Sequence, residues 1–373
     1  MDRSLVAQQR ASASYGAGFL METADDLVFK TFHLDGKAMN AVRRAGPIVS
    51  VSSAGAETAF FRLSLQEGLT ELEAVEGAAH GAQGRRFACA VFEYLFATYP
   101  NLRSLSLKGD YWLSLLPEFR QHGPHILVDG LFSQPYVLAD MFWQTANLWM
   151  TSGHQPYPRH DVYDGRIAHP SRPPKPQGRL YARFIPWLGG TLSFDVATLE
   201  DLPDIHRWMN DPRVNEFWNE AGDEDRHRRY LEGMFSDPHI IPLIGRFDEK
   251  AFSYFEIYWA KEDIIGTFCD AGDYDRGCHV IVGEDAFRGQ PWYTAWLPSL
   301  LHLMFLDDAR TERIIQEPSS RHFRQLRNLQ RSGFSHIKSV DLPTKRAAIM
   351  SISRQRFFSD RLWHPAHAPD EGL

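Results

Sequence analysis

The 373 residues, 43% of them hydrophobic, supply enough apolar material for two ordinary folded domains and exclude a wholly disordered chain. A formal net charge of -7 argues against a partner bound through its phosphate backbone, so no nucleic acid is expected. The three cysteines, Cys89, Cys269 and Cys278, form no CxxC pair and no Cys/His zinc spacing, which argues against a disulfide framework, gives no metal site and fits a reducing cytoplasm.

Residues 1–22 are rich in Ala, Ser and Gln and lack the continuous apolar run of a secretory leader. No later stretch reaches the roughly 18 apolar residues of a membrane span. A disordered N-terminus and no membrane partner are therefore expected. Residues 23–152 mix β-rich runs at 48–51 and 58–63 with a helical run at 86–98 and a strand at 102–107 after the Pro100-Asn101 break. This is a complete α+β unit in which Glu93 and His80 belong to no chemical motif. Prolines at 156, 158, 170, 173, 174 and 176 then remove backbone donors and stiffen 153–186, so a connector is predicted there.

Residues 187–358 are more regular. A strand at 190–197 leads to a helix begun by Thr198, with Asp201 three residues on, and ending near Met209. A charged helix at 223–235 precedes strands at 240–247 and 251–260, which Asp248-Glu249-Lys250 joins as a hairpin. In the second of these, Phe255, Ile257 and Trp259 point one way and Tyr254, Glu256 and Tyr258 the other, one face for core and one for ligand. A strand at 278–282, a helix at 294–305, a strand at 313–316, a basic helix at 319–331 stopped by Gly333 and an antiparallel pair at 334–340 and 345–352 follow. Residues 359–373 read as a tail. The order β-α-α-β-β-β-α-β-α-β-β gives an α+β class with a mixed sheet.

Within this part, AGDYDRGCHVIVGEDAFRGQPWY (271–293) brings an acidic loop, a strand and a Gly/Pro turn that opens an apolar helix into one neighbourhood. Such a turn presents unpaired backbone N–H groups and a helix dipole to an anion. From the residues alone, His239 after Asp-Pro can equally cap the preceding carbonyls, Asp273 and Asp275 can be turn residues, and the aromatic alternation can be strand packing.

Six ordered blocks carry a resemblance: RWMNDPRVNEFWNEAG (207–222), DPHIIPLIGRFD (237–248), YFEIYWAKEDII (254–265), DAGDYDRGCHVIVGEDAFRGQPW (270–292), EPSSRHFRQLRNLQRSGF (317–334) and KRA in the last strand. Together they resemble the GNAT acyltransferase superfamily, and more closely its hydroxamate-siderophore branch, which acylates N-hydroxylated lysine, ornithine or related diamines. The resemblance implies a GNAT fold, with 187–358 as the catalytic domain and 23–152 as a degenerate first GNAT-like domain. It implies acetyl-CoA or another short acyl-CoA as donor, an N-hydroxylated amino acid or diamine as acceptor, and a flavin N-hydroxylase and a siderophore synthetase as functional neighbours. A catalytically inactive CoA-binding scaffold is the reading from another class.

The resemblance also implies site residues. His239 and Asp275 match the positions proposed for catalysis, with Asp273 as the nearby alternative. Strand residues His279, Val280, Ile281 and Val282 would run along pantetheine, and Phe287, Arg288, Gly289, Gln290, Pro291 and Trp292 would meet the phosphates, with His322 and Asn328 of the later helix as further cofactor contacts. Trp218, Asn219, Glu220, Glu256, Tyr258, Trp259 and Lys261 are candidates for the acceptor. Three positions depart from the superfamily pattern. Leu329 stands where many members keep a tyrosine that protonates the leaving thiolate, His322 where an asparagine is usual, and Cys278 where an aromatic is common. The acyl length, the choice among ornithine, lysine and diamine, and the oligomeric state stay open at this level.

Overall fold

The computed structural model describes residues 28–32, 40–53, 58–66, 69–124, 126–128, 134–151, 156–343 and 345–365. The predicted disordered segment 1–22 lies outside them. Two compact units emerge, one of 1–152 with 183–191, the other of 153–182 with 192–373.

The first unit runs β1 (Phe29–Thr31), β2 (Asn40–Ala45), β3 (Ile48–Ser53), β4 (Thr58–Gln66), β5 (Leu69–Glu76), α1 (Gly81–Thr98), β6 (Ser104–Lys108), α2 (Asp110–His122), β7 (Tyr136–Leu138) and α3 (Ala139–Phe142). Its strands lie side by side in sequence order. Neighbours are antiparallel until β5 and β6, which pair in parallel through Glu71↔Ser106, Leu72↔Leu107 and Glu73↔Lys108 because α1 carries the chain back across the sheet. Helix α1 starts at Gly81, five residues before the predicted 86, since Gly-Ala-Gln-Gly gives little helical signal of its own. From Phe87 to Ala97 it is buried on all sides. Glu93 lies in that buried stretch, accepts from Trp149 Nε1 at 3.0 Å, and is pushed by burial up to about 8, so it is a neutral core group near neutral pH.

The chain goes on with the short hairpin β8 (Asp161–Tyr163) and β9 (Ala168–Pro170), then β10 (Arg179–Ile185) and β11 (Gly190–Val196), of which 183–191 count with the first unit and the rest with the second. The predicted connector 153–186 therefore holds three strands, the hairpin β8–β9 and then β10, where 179–185 is free of proline and buried from Leu180 to Ile185. There follow α4 (Leu202–Met209), α5 (Pro212–Trp218), α6 (Glu224–Ser236), β12 (Ile240–Phe247), β13 (Lys250–Trp259), α7 (Gly266–Cys269), β14 (Arg276–Val282), α8 (Gln290–Asp307), β15 (Arg313–Gln316), α9 (Phe323–Arg331), β16 (Ser335–Asp341), β17 (Arg346–Ser353) and α10 (Arg354–Ser359). The sheet order is β10-β11-β12-β13-β14-β15-β17-β16. Ile244, Tyr254 and Ile281 of one sheet face join Ile205, Trp208, Val214 and Leu231 of the helices α4, α5 and α6 in one cluster. On the other face Trp296 of α8 packs on Phe255 at 5.6 Å between rings. Trp363, in the predicted tail, is buried against Phe357 and Phe358.

Apart from the short α7, the run β3-β4-β5-α1-β6 repeats the order β12-β13-β14-α8-β15, with in each case a parallel pair bridged by a helix. The parallel pair of the second unit is shorter. β14 and β15 meet only at Arg276↔Ile314 and Gly277↔Ile315, after which β14 continues to Val282 without β15 beside it. That leaves a wedge lined by unpaired strand edge.

Candidate acyl-transfer site

The wedge opens at Gly277. A Cβ on this residue would overlap the Tyr258 ring, so only glycine lets that ring lie across β14 where the strands part. Tyr258 is fully buried and its hydroxyl donates to Glu317 Oε2 at 3.0 Å. His279, two residues beyond the last paired position, donates from Nδ1 to Glu256 Oε2 at 2.9 Å and from Nε2 to Glu317 Oε1 at 3.2 Å. Glu256 in turn accepts from Tyr230 at 2.5 Å and Tyr254 at 2.9 Å. Lys345 Nζ lies 3.6 Å from Glu317. Burial alone would push His279 down, but its two carboxylate partners outweigh it and raise the ring to about 10. Glu317 responds in the opposite sense: burial pushes it up, and the His279 hydrogen bond and charge, with Lys345, bring it to about 2. The row Glu256–His279–Glu317 is thus a fixed minus-plus-minus arrangement at the mouth of the wedge. The β13 face expected to meet ligand is mostly buried, Tyr254 and Tyr258 serving as donors to this row.

His239 stands just before β12, with its carbonyl accepting from Trp259 N at 2.9 Å. Asp237 Oδ1 takes its backbone N–H at 3.1 Å and its Nδ1–H at 2.5 Å, while Nε2 faces Asp263 Oδ2 at 3.9 Å. Burial pushes the ring down, and the contacts with Asp263 and Asp237 raise it past its ordinary value. Asp237 therefore holds His239, with Asp263 facing its other ring nitrogen, while the candidates Asp275 and Asp273 are engaged elsewhere. Asp275 is buried and its Oδ2 accepts from Arg313 Nε at 2.9 Å, Arg313 Nη2 at 2.5 Å and Gly272 N at 2.8 Å, which pins the loop that launches β14. Asp273 is paired with Lys261 and, at 2.7 Å, with Arg159. Its carboxyl is held below the usual range by the Lys261 hydrogen bond first.

At the far end of β14, Arg288 donates to the Val282 carbonyl at 2.6 Å and ties the turn to the strand. Phe287 is buried, stacked on Phe252 at 5.1 Å and against Trp292 at 4.6 Å. Gly289 at φ +97° takes a conformation that disfavours side chains and starts α8 with Gln290 and Pro291 in its first turn. Residues 288–291 are exposed; the Arg288 amide donates to the Asp285 carbonyl at 3.2 Å and Pro291 has none, so the turn's amides for an anion are those of Gly289 and Gln290. The helix begins four residues before the predicted 294, because Pro at its start is a helix opener. On α9, Leu329 is buried and His322 stacks on Phe217 at 4.3 Å. Burial lowers the His322 ring. Asn328 spends its carbonyl on Ser332.

The acceptor candidates separate. Glu256 and Tyr258 belong to the charged row. Trp218 packs edge-on against His279 at 6.1 Å and donates to the Val280 carbonyl at 3.3 Å, so it lies beside the wedge. Asn219 is the left-handed cap of α5, and Glu220 pairs with Arg226 at 2.7 Å. Trp259 is sandwiched by guanidiniums, Arg172 at 4.2 Å and Arg276 at 4.0 Å, and Lys261 is tied to Asp273. These last two brace the loop. Glu317 and Asp263 are the functional-looking residues that sequence reasoning missed. Glu317 opens the quoted block EPSS, but its partners lie 38 and 59 residues away in the chain, and only the fold joins them. Among the described residues no group of three or more His, Cys, Asp or Glu could hold a metal ion, and no helix is long and apolar enough to cross a membrane.

Residues 197–342 match the family described as acetyltransferase (GNAT) domain. The N(6)-hydroxylysine O-acetyltransferase of Escherichia coli is 34% identical over 275 residues, covering 73% of this chain and 85% of that protein. The N(5)-hydroxyornithine:cis-anhydromevalonyl coenzyme A-N(5)-transacylase of Beauveria bassiana is 45% identical over 195 residues, or 51% of this chain and 43% of the relative. A hydroxyornithine transacylase of Ajellomyces capsulatus is 44% identical over 195 residues, 51% of this chain and 44% of its own length. The chain thus spans most of the bacterial relative and less than half of the two fungal ones.

Proposed function

The chain belongs to the GNAT acetyltransferases, in the branch that includes the Escherichia coli N(6)-hydroxylysine O-acetyltransferase, and from that premise we propose that it moves an acyl group from coenzyme A to the hydroxylated side-chain nitrogen of N-hydroxyornithine or N-hydroxylysine. The observation that carries the reading is the wedge between β14 and β15, with a charged row at its mouth and an exposed helix start at its far end. In this reading the edge at Val280, Ile281 and Val282, which has no strand beside it and whose Val280 and Val282 carbonyls are held by the Trp218 and Arg288 side chains, takes pantetheine in their place, and the turn Arg288–Gln290 receives the phosphates. The acceptor nitrogen is largely neutral at physiological pH and attacks the thioester directly. His239 takes the proton it sheds, with Asp237 holding Nδ1–H so that Nε2 is the basic atom. Asp275, locked by Arg313, acts by holding the loop in place. His279, with both ring N–H groups spent on Glu256 and Glu317, acts by fixing the shape of the wedge mouth.

The same reading gives residues 23–152 as a degenerate GNAT-like domain and 187–358 as the catalytic one. Its substrate chemistry requires an N-hydroxylating enzyme, of the flavin type, upstream, and a synthetase that consumes the hydroxamate downstream, all in the cytoplasm. Other acceptors of the same kind are N-hydroxylated putrescine and cadaverine. A specific observation favours one second reading: the bacterial relative's name places the acyl group on oxygen.

The test is purified protein with acetyl-CoA and a panel of hydroxylated and plain ornithine, lysine, putrescine and cadaverine, followed by thiol release. The product is then treated with ferric ion. With a hydroxylated acceptor a coloured complex marks a hydroxamate and transfer to nitrogen, and thiol release without colour marks transfer to oxygen; with a plain amine, thiol release marks an ordinary amide. Thiol release with no panel member would sink the acyl-transfer reading and favour a CoA-binding scaffold.

A further inference from the structure

We propose that Asp263 selects for the hydroxylated acceptor, its Oδ2 and His239 Nε2 forming a pair of hydrogen-bond acceptors that take the O–H and the N–H of one hydroxylamine. The inference rests on the acyl-transfer reading above. Asp263 lies on the turn that follows β13, and its other carboxylate oxygen is already committed, accepting from Ile265 N at 3.0 Å. The Gly266 amide closes the same turn on the Asp263 carbonyl at 3.0 Å. The side chain is therefore oriented, and Oδ2 is the atom turned toward His239.

The separation decides what the pair can do. At 3.9 Å, Nε2 and Oδ2 are too far apart to be hydrogen-bonded to each other, yet close enough to share one small bridging group. Asp237 holds His239 Nδ1, so the ring presents its remaining nitrogen to that gap. The two side chains are 20% and 18% exposed, open to a ligand but shielded from bulk water. A hydroxylamine carries an N–H and an O–H on adjacent atoms and matches two acceptors at this spacing. A plain primary amine fits badly for a chemical reason. Beside a carboxylate it remains an ammonium and has no lone pair with which to attack.

The step balances as follows. The acceptor nitrogen bonds to the thioester carbonyl carbon and the carbon–sulfur bond breaks. The nitrogen's proton passes to His239 Nε2, and coenzyme A leaves as its thiolate, which is protonated from solvent. The acceptor O–H stays on Asp263 throughout, so the acyl group ends on nitrogen.

The experiment compares the N-hydroxy amino acid with its O-methyl ether, which keeps the N–H and lacks the O–H, in the full-length wild type and in Asp263→Asn, with acetyl-CoA as donor. Wild type should lose roughly ten- to hundredfold in kcat/KM on the ether, the scale of a buried hydrogen bond to a charged group. Asp263→Asn should fall by a similar factor on the hydroxylated acceptor and lose little more on the ether, so that its hydroxyl-to-ether ratio collapses toward one. Because each ratio is measured within one protein, it does not depend on how much of the variant folds. A ratio in Asp263→Asn equal to the wild-type ratio overturns the assignment. Absence of turnover of every hydroxylated acceptor by wild type fails the acyl-transfer reading itself, and this assignment with it.

Discussion

His239 feels two opposing influences, and their balance sets the pH at which it can act. Burial favours the neutral ring, but Asp263 and Asp237 favour the cation more, so the folded pKa lies above the ordinary 6.5. A base must be deprotonated to accept a proton. Activity should therefore rise with pH through an acid limb in kcat/KM whose apparent pKa exceeds 6.5, and should fall away below it. Asp237→Asn removes one of the two stabilising charges and should move that limb downward; a limb that stays put would separate His239 from the chemistry. His239→Ala should cost on the order of a hundred- to ten-thousandfold in kcat, the range for loss of a general base. His279 differs in kind. With both nitrogens donating to carboxylates it is a cation over the whole physiological range and can supply field and position, but it does not exchange protons there.

Among the elements, β14 carries the strictest requirement, because it must pass under Tyr258 and part from β15 within two residues. Gly277→Ala puts a methyl group into the Tyr258 ring. It should cost about 1–3 kcal/mol of stability by overpacking and displace the hydroxyl from Glu317, seen as a lower unfolding midpoint in denaturant together with reduced turnover. A variant as stable and active as wild type would mean that the ring has another place to lie. Much of this element was legible in the sequence. Alternation gave β13 its two faces, the Gly/Pro turn announced the helix after it with a start read four residues late, and Thr198 with Asp201 marked another, where the reciprocal cap is present. The pairing Tyr258–Glu317–His279 was not legible, because spacing along the chain carries no signal for contacts made across three strands. The role of Asp275 was hidden for a similar reason. In the sequence it stands in a turn, and only the fold brings Arg313 to it across 38 residues. The early start of α1 is hidden because Gly81-Ala82-Gln83-Gly84 carries two glycines and no apolar period, and tertiary burial overrides weak propensity.

At the scale of the whole molecule, the chain contains the same strand-helix-strand crossover twice, and the two copies differ in what they leave open. In the second unit two registered pairs precede the wedge, and an exposed turn with a glycine-opened helix lies at its end. In the first unit the matching helix α1 also opens at a glycine without a side-chain cap, but the parallel pair it bridges runs over three registered positions, Arg85 in its first turns faces Glu118 at 3.9 Å, and its residues from Phe87 onward are committed to core. The asymmetry predicts that acetyl-CoA stabilises one unit only. Saturation at about a hundred times the dissociation constant contributes roughly 2.7 kcal/mol to the state that binds. For a unit of this size that corresponds to a rise of about 5–11 °C in its melting temperature. Differential scanning calorimetry of the full chain should show one transition moving by that amount on adding acetyl-CoA, while any separate transition belonging to the first unit stays in place. Removing His279 or Glu317 should leave most of that shift intact, since the proposed function puts both at the thioester end. Reversing the charge of the phosphate turn with Arg288→Glu should diminish it. A shift shared equally by two resolved transitions would mean that the first unit binds the cofactor as well, and that its degeneration is one of sequence and not of function.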